Sequence, residues 1–304
     1  MNMKEKILAF IDALSKNNPG CEAVALYQNG EMVVEHHFIP SLPRLIYSHT
    51  KSFVSTAAGI AIDEGKLSLD DKILDLFPEY LPVITDEGVR EITLRHFLTM
   101  SSGLGGNNLM GASRRKGEGF PDYMAYMLSK PLQYTPGEKF AYSNGDSHMA
   151  GCMVQRAVGE PLAKYLGRKL FMPLEIGFPG WETDPDGTAF GGTGLYLTIS
   201  DMMKLGILYL NEGMWNGKRI VSKEWVRQAG SKQISTGIED AWSAEYGYQF
   251  WMVPANKNAF RADGAYCQYS IILPEQNAVV ATQCSEQNDT VAFVKLLREY
   301  IIEK

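Results

Sequence analysis

The stretch Ser48 to Gly65, SHTKSFVSTAAGIAIDEG, decides how the rest of the chain is read. From Thr50 to about Glu64 it is rich in Ala, Ser and Ile, has no Pro and only Gly59 as an interior glycine, and Gly65 supplies a stop. A run with so little polar surface predicts a helix buried on all sides. At its entrance Ser48, His49, Thr50 and Lys51 form S-x-x-K. Residues three apart on a helix share a face, so Lys51 can bring its amine to the Ser48 hydroxyl, and a helix N-terminus favours negative charge developing there. Serine needs such help, because its hydroxyl is a poor nucleophile until a base removes the proton. A second S-x-x-K, Ser113 to Lys116, lies in the charged, glycine-rich GASRRKGEG, where nothing would desolvate the lysine and lower its pKa. Ser48 is therefore the better candidate.

Outward from this helix, both ends of the chain carry sheet. Residues 4 to 16 place Ile7, Leu8, Phe10, Ile11 and Leu14 at helical spacing. EAVALYQ and EMVVEHHF then flank Asn29-Gly30, a pair that tolerates the positive φ angles of a type I′ hairpin turn. From about Leu69 to Asn211 short helical runs (LRHFLTM, PDYMAYML, SHMAGCMVQRAV, PLAKYLGRKLF, ISDMMKLGILYL) alternate with Pro and Gly breaks. A helix near Lys223 to Ala229 follows, then strand character in YGYQFWMV, AYCQYSIILP and NAVVATQC, and a final amphipathic helix, TVAFVKLLREYII. The order predicts an α+β fold: one antiparallel sheet flanked by the N- and C-terminal helices, with an inserted all-helical lobe. Residues 1–68 and 212–304 would form the sheet domain and 69–211 the helical one, with the active site in the cleft between them.

Composition narrows the function. The chain has 304 residues, 45% hydrophobic and 21% charged, which is enough for a large core and ordinary for a globular protein. A net charge of -6 disfavours a nucleic-acid partner, and the one basic cluster, Arg114 to Lys116, reads as a solvated loop. ILAFIDAL near the start carries Asp12 and has helical spacing, so it reads as neither a signal peptide nor a membrane span, and a cytoplasmic location is expected. Cys21, Cys152, Cys267 and Cys284 are widely spaced and form no C-x-x-C, which points to packed thiols rather than a zinc site or disulfide framework. Oligomeric state has no signature here.

Two further segments carry chemistry. Tyr142-Ser143-Asn144 sits in FAYSNGD, before a helix expected from about His148. A phenol beside a lysine ammonium can be drawn toward phenolate and relay a proton, and Asn144 could hold a substrate carbonyl. Ala262-Asp263-Gly264-Ala265 opens a strand late in the chain. A glycine on such a strand lets substrate lie against the backbone, and the Ala265 N–H could pair with that of Ser48 as an oxyanion hole.

In this order the three segments resemble the S-x-x-K, Y-x-N and K-T-G or H-x-G motifs of the β-lactamase and penicillin-binding-protein superfamily. The stretches ITLRHFLTMSSGL and GGTGLYLTISDMMKLGILYLNEGMWNGKRIVSKEWV look like its class C branch, as does a tyrosine in the second motif, and the resemblance covers nearly the whole chain. It implies the β-lactamase/transpeptidase-like fold, Ser48 as acylated nucleophile, Lys51 as its base partner, Tyr142 as general acid and base, Asn144 as a substrate-amide contact, and no metal or organic cofactor. The third motif departs from pattern: Ala262 stands where the family carries Lys or His, Arg261 is a possible substitute, and Asp263 would repel an anion. Hydrolysis of a neutral or cationic small-molecule ester or amide is therefore expected over efficient β-lactamase action. A penicillin-binding-type sensor that acylates without turnover is the alternative.

Other readings fare worse. AYSNG resembles a nucleophile elbow at Ser143, but in that fold the catalytic His comes well after the serine, and the last histidine, His148, lies five residues on. Adjacent His36 and His37 on a strand face opposite ways and cannot share a metal. His49 reads equally as cleft or packing residue. The glycines 103–106 and 191–194 lack phosphate-loop spacing and read as cleft-shaping turns, with Tyr196 as a possible cleft wall and the 103–121 and Trp181 loops shaping the pocket.

Overall fold

The computed structural model describes residues 1–17, 20–253 and 256–303. Eight antiparallel strands form its main sheet, in the spatial order Glu31–His37, Cys21–Gln28, Ala278–Cys284, Gln268–Leu273, Phe260–Gly264, Trp251–Met252, Glu245–Tyr246 and Ile234–Ser235. The two ends of the chain therefore meet inside the sheet, as its second and third strands, where Leu26 pairs with Val280 and Ala25 with Ala281. The hairpin turns at Asn29 (φ 54°) and Gly30 (φ 91°), the positive pair that its sequence predicts.

Period-two alternation gives the sheet two apolar faces. Val24, Leu26, Ile271 and Val280 point to one, which is covered by the helix Met3–Asn17 and the C-terminal helical segment Thr290–Ile302, with Phe10 edge-on to Phe293 at 5.6 Å. Ala23, Ala25, Val279 and Ala281 point to the other. Their small side chains admit the helix Ile199–Leu210, whose Gly206 lies against Val279. That helix, grouped by its sequence with the helical block, thus packs on the sheet. Among the described residues no helix is long and apolar enough to cross a membrane.

The helix Thr50–Asp63 is buried at every position from Thr50 to Ala61 and runs through the largest core cluster, against the helix Asn144–Val158. Two late segments differ from the sequence reading. YGYQFWMV is two short strands, with Tyr246 paired to Trp251 across a bend where Gln249 has φ 62°. The Ala262-Asp263-Gly264-Ala265 motif ends its own strand, Phe260–Gly264, instead of opening the next, and the chain turns through Ala265–Cys267 before Gln268–Leu273 begins. Arg261 and Asp263 alternate with buried Phe260 and Ala262, so this strand has no apolar run to announce it.

Gln249 ties these parts together. Its Oε1 accepts from Ser147 Oγ at 2.7 Å, its Nε2 donates to the Phe97 and Leu98 carbonyls at 3.1 and 3.0 Å, and its own carbonyl accepts from Ser52 Oγ at 2.8 Å. One buried amide thereby links three helices and the bend. Gln249→Leu leaves the Ser147 hydroxyl and two carbonyls buried without that partner, and should lower unfolding stability by about 2–4 kcal/mol. Urea denaturation checks this, and a loss below about 0.5 kcal/mol, the scale of an ordinary surface change, would contradict it.

Candidate active site

Ser48 lies on a single 3-10 turn, Tyr47–His49, that leads into the buried helix. The turn is pinned from both sides. Ile46 N–H donates to the Leu195 carbonyl at 2.9 Å, and Leu195 N–H donates to Thr50 Oγ1 at 3.3 Å. Tyr47 holds a positive φ of 49°, an uncommon conformation for an aromatic residue, with its ring edge-on to Tyr266 at 5.0 Å and its hydroxyl donating to Glu286. On the third side Gly264 passes so close that an added Cβ would lie 2.1 Å from the Ile46 carbonyl oxygen. The Gly264 position is therefore fixed by space: any side chain would push the strand off the nucleophile turn.

Lys51 is 1% exposed. Its Nζ lies 3.1 Å from Ser48 Oγ, 2.6 Å from Asn144 Oδ1 and 2.5 Å from the Gly192 carbonyl oxygen. Burial disfavours the ammonium and brings the pKa down to about 7, against the opposing pull of Asp263. The neutral amine has two N–H groups and one lone pair. With both N–H groups given to Asn144 and Gly192, the lone pair is left for the Ser48 hydroxyl proton.

Tyr142 completes the group. Its ring lies 5.0 Å from Lys51 Nζ and stacks on Trp251 at 5.8 Å, and it lines the same cleft as Ser48. Burial pushes the phenol well above its ordinary range, and the nearby Ser48 hydroxyl offsets this only in part. Burial thus favours the protonated phenol over the phenolate of the sequence reading, and it favours the neutral amine of Lys51. Asp146, one turn into the next helix, is also buried and rises to about 7, while accepting from Ser102 Oγ at 3.0 Å.

Ser143 caps that helix by accepting from Asp146 N–H, so the helix begins at Asn144 and not near His148. Asn144 sits at its first position with its amide turned inward. Oδ1 takes the Lys51 amine and Nδ2 donates to the Leu109 carbonyl at 3.3 Å. The structure places Asn144 on Lys51, a partnership that the sequence reading, which had it as a substrate contact, did not name. Gly192 lies against Asn144 so closely that a Cβ would sit 2.6 Å from Asn144 Cβ. A backbone acceptor has no side-chain signature; only the paired glycines of GGTG marked a close approach here.

Ser48 and Ala265 line one cleft of about 950 Å³, together with Tyr142, Trp251, Arg261 and Asp263. Among the described residues neither the Ser48 nor the Ala265 N–H donates to a backbone group of another element. Ala262 is fully buried in the core beneath, whereas Arg261 and Asp263, two apart on the strand, share the cleft face. Arg261 does not offer its charge to the cleft: it is 1% exposed, lies 3.8 Å over Trp242, and gives its N–H groups to Asp263 Oδ2 at 2.8 Å and the Met252 carbonyl at 2.9 Å.

Several weaker readings also resolve. His49 is a packing residue, fully buried and bonded to Ser270 Oγ at 2.9 Å, and burial lowers its pKa to about 3. Arg114 is not solvated, since it stacks over Phe190 at 4.3 Å and pairs with Glu182. Tyr196 pairs with Leu45 outside the cleft, and Trp181 donates to the Phe190 carbonyl. The cleft's remaining wall comes from Met110, in the 103–121 loop that the sequence named, and from Trp242, Tyr269 and the C-terminal helical segment, which it did not single out.

Comparison with known proteins identifies the family and the fold. The Beta-lactamase family model matches residues 11–300. The chain is 23% identical over 302 residues to the 6-aminohexanoate-dimer hydrolase of Paenarthrobacter ureafaciens, spanning 89% of this chain and 76% of that protein. It is 31% identical over 152 residues to esterase EstB of Burkholderia gladioli, spanning 45% of this chain and 38% of that protein. A penicillin-binding protein homologue from Caulobacter crescentus has the same fold, with a TM-score of 0.79 at 14% identity over 98% of this chain and 96% of that one. With a cleft-lining serine bonded to a buried lysine, this architecture and a family match across nearly its whole length, the chain belongs to the β-lactamase family of serine hydrolases.

Proposed function

We propose that the protein hydrolyses small-molecule esters or amides through an acyl-enzyme on Ser48. The observation that carries this reading is the hydrogen-bond set of Lys51: two carbonyl acceptors on the amine at 2.6 and 2.5 Å, and Ser48 Oγ at 3.1 Å. Lys51 takes the Ser48 proton as Oγ attacks the carbonyl carbon, and the oxyanion forms against the N–H groups of Ser48 and Ala265. The bond to the leaving group then breaks as Tyr142 donates its proton to the departing oxygen or nitrogen, and the Lys51 ammonium restores the Tyr142 proton. Water repeats the sequence on the acyl-enzyme, with Lys51 as base and Ser48 as leaving group. The esterase and 6-aminohexanoate-dimer hydrolase relatives support ester or amide substrates, and a retained Ser48, Lys51 and Tyr142 set supports turnover over a sensor that stops at acylation.

Intact-protein mass after brief mixing with 4-nitrophenyl butyrate or a penicillin, beside a product assay, tests the mechanism. The wild type should show an acyl adduct from the ester with continuing product release. Ser48→Ala should lose the adduct and at least about 10³-fold in kcat. Undiminished product formation in Ser48→Ala would overturn the assignment, and one equivalent of adduct without turnover would favour the sensor.

The pH profile has a determined sign. Lys51 must be neutral to act as base, so kcat/KM should be low in acid and rise with pH through a midpoint near 7. Because Asp146 rises to a similar value, the profile is to be measured in Asp146→Asn as well, where the midpoint should persist. A profile flat from pH 5 to 9 would contradict Lys51 as the base.

A further inference from the structure

At the third motif the position of the family's cation is Ala262, buried in the core, and the next residue, Asp263, presents a carboxylate to the cleft. Asp263 is the side chain that remains available there. Its Oδ2 takes the Arg261 N–H at 2.8 Å, and Oδ1 has no hydrogen-bond donor among the described residues, on a side chain that is 21% exposed to the cleft. The neighbouring positive charge is sequestered. Arg261 is 1% exposed, clamped over Trp242 and tied to the Met252 carbonyl, so its guanidinium cannot turn to meet an anionic ligand. Over the whole cleft four carboxylates, Asp240, Asp263, Glu299 and Glu303, face three fixed cations, Arg261, Lys295 and Arg298.

From this arrangement we infer that Asp263 Oδ1 receives a primary ammonium group of the substrate, which makes the preferred substrates amino-bearing esters or amides. The inference rests on the Ser48 acyl-enzyme reading and names its substrate class. Asp263 is two residues from Ala265, about 6–7 Å along an extended backbone, and the strand end they share packs against the nucleophile turn. An ammonium bonded to Asp263 therefore lies within several ångströms of a carbonyl held over Ser48, which places the amine about two to four bonds from the carbonyl carbon. Such a contact is a charge-assisted hydrogen bond: burial raises the Asp263 carboxyl, Arg261 opposes that rise, and an incoming ammonium favours the carboxylate further. A carboxylate at the same place would meet like charge.

The test compares matched substrates that differ in the amine alone: the 4-nitroanilides of alanine and β-alanine against that of propionic acid, at pH 7, in wild type, Asp263→Asn and Asp263→Glu. The wild type should favour the better of the two amino substrates by about tenfold or more in kcat/KM. That ratio should collapse toward one in Asp263→Asn and recover in part in Asp263→Glu. No preference in the wild type, or a preference unchanged in Asp263→Asn, overturns the inference. Should the variants not fold or the anilides not turn over, inhibition of wild-type 4-nitrophenyl butyrate hydrolysis decides. Propylamine should compete at concentrations at least about tenfold below those of propionate, and equal or reversed potency overturns the inference. Turnover of the neutral butyrate with no cation preference would retire the ammonium site alone, whereas no turnover and no Ser48 adduct would retire the hydrolase reading itself.

Discussion

A lysine amine sealed away from water, with acceptors in only some directions, is the constraint on which this structure turns. Nζ of Lys51 meets a side-chain carbonyl from Asn144, a main-chain carbonyl from Gly192 and the hydroxyl of Ser48, all within 3.1 Å. None of the three is a carboxylate. A directly paired carboxylate would hold the lysine charged and unable to take a proton, so dipolar acceptors orient the amine without fixing its charge. The nearest threat to that state is Asp263, whose charge favours the ammonium. Arg261 takes up much of that charge, and the Arg261–Asp263 pair is as much a protection of Lys51 as a feature of the cleft wall.

The three acceptors come from far apart in the sequence, and the fold is arranged to bring them within bonding distance. The helix Thr50–Asp63 can carry a buried lysine because Asn144 and Gly192 supply acceptors for its amine while the rest of the helix runs through the largest apolar core. Glycines 191 and 192 let their loop lie directly on the first turn of the Asn144–Val158 helix, and Gly264 lets the sheet edge press on the nucleophile turn. Gln249 fixes the helices behind the site to one another. Each of these approaches is closer than a side chain would permit, which explains why the geometry depends on residues that do no chemistry.

Much of this was legible in the sequence, for identifiable reasons. Asn29-Gly30 specifies a hairpin by local backbone preference, and the spacing of Ser48 and Lys51 places them together on any helix that starts there. What stayed hidden depended on burial or on the main chain. The upward push on the Tyr142 phenol follows from burial against Trp251 and Tyr246, which no spacing reveals. The Gly192 carbonyl leaves no side-chain trace. The inward turn of Asn144 follows from Ser143 serving as helix cap, a role the YSN motif did not announce by itself. The Phe260–Gly264 strand was obscured because its cleft-facing residues are an arginine and an aspartate, and the question of whether Arg261 replaces the missing cation was answered only by finding it stacked and buried.

The most direct test of the account is the ionisation of Lys51 itself, read by NMR of protein labelled with 13C at lysine Cε and assigned by the resonance lost in Lys51→Met. The account predicts one lysine titrating near pH 7, more than three pH units below its exposed counterparts, whose ordinary value is about 10.4. A Lys51 resonance still in its ammonium form at pH 9 would contradict the central claim, because the group assigned as base would then hold its proton throughout the range in which it is meant to take one.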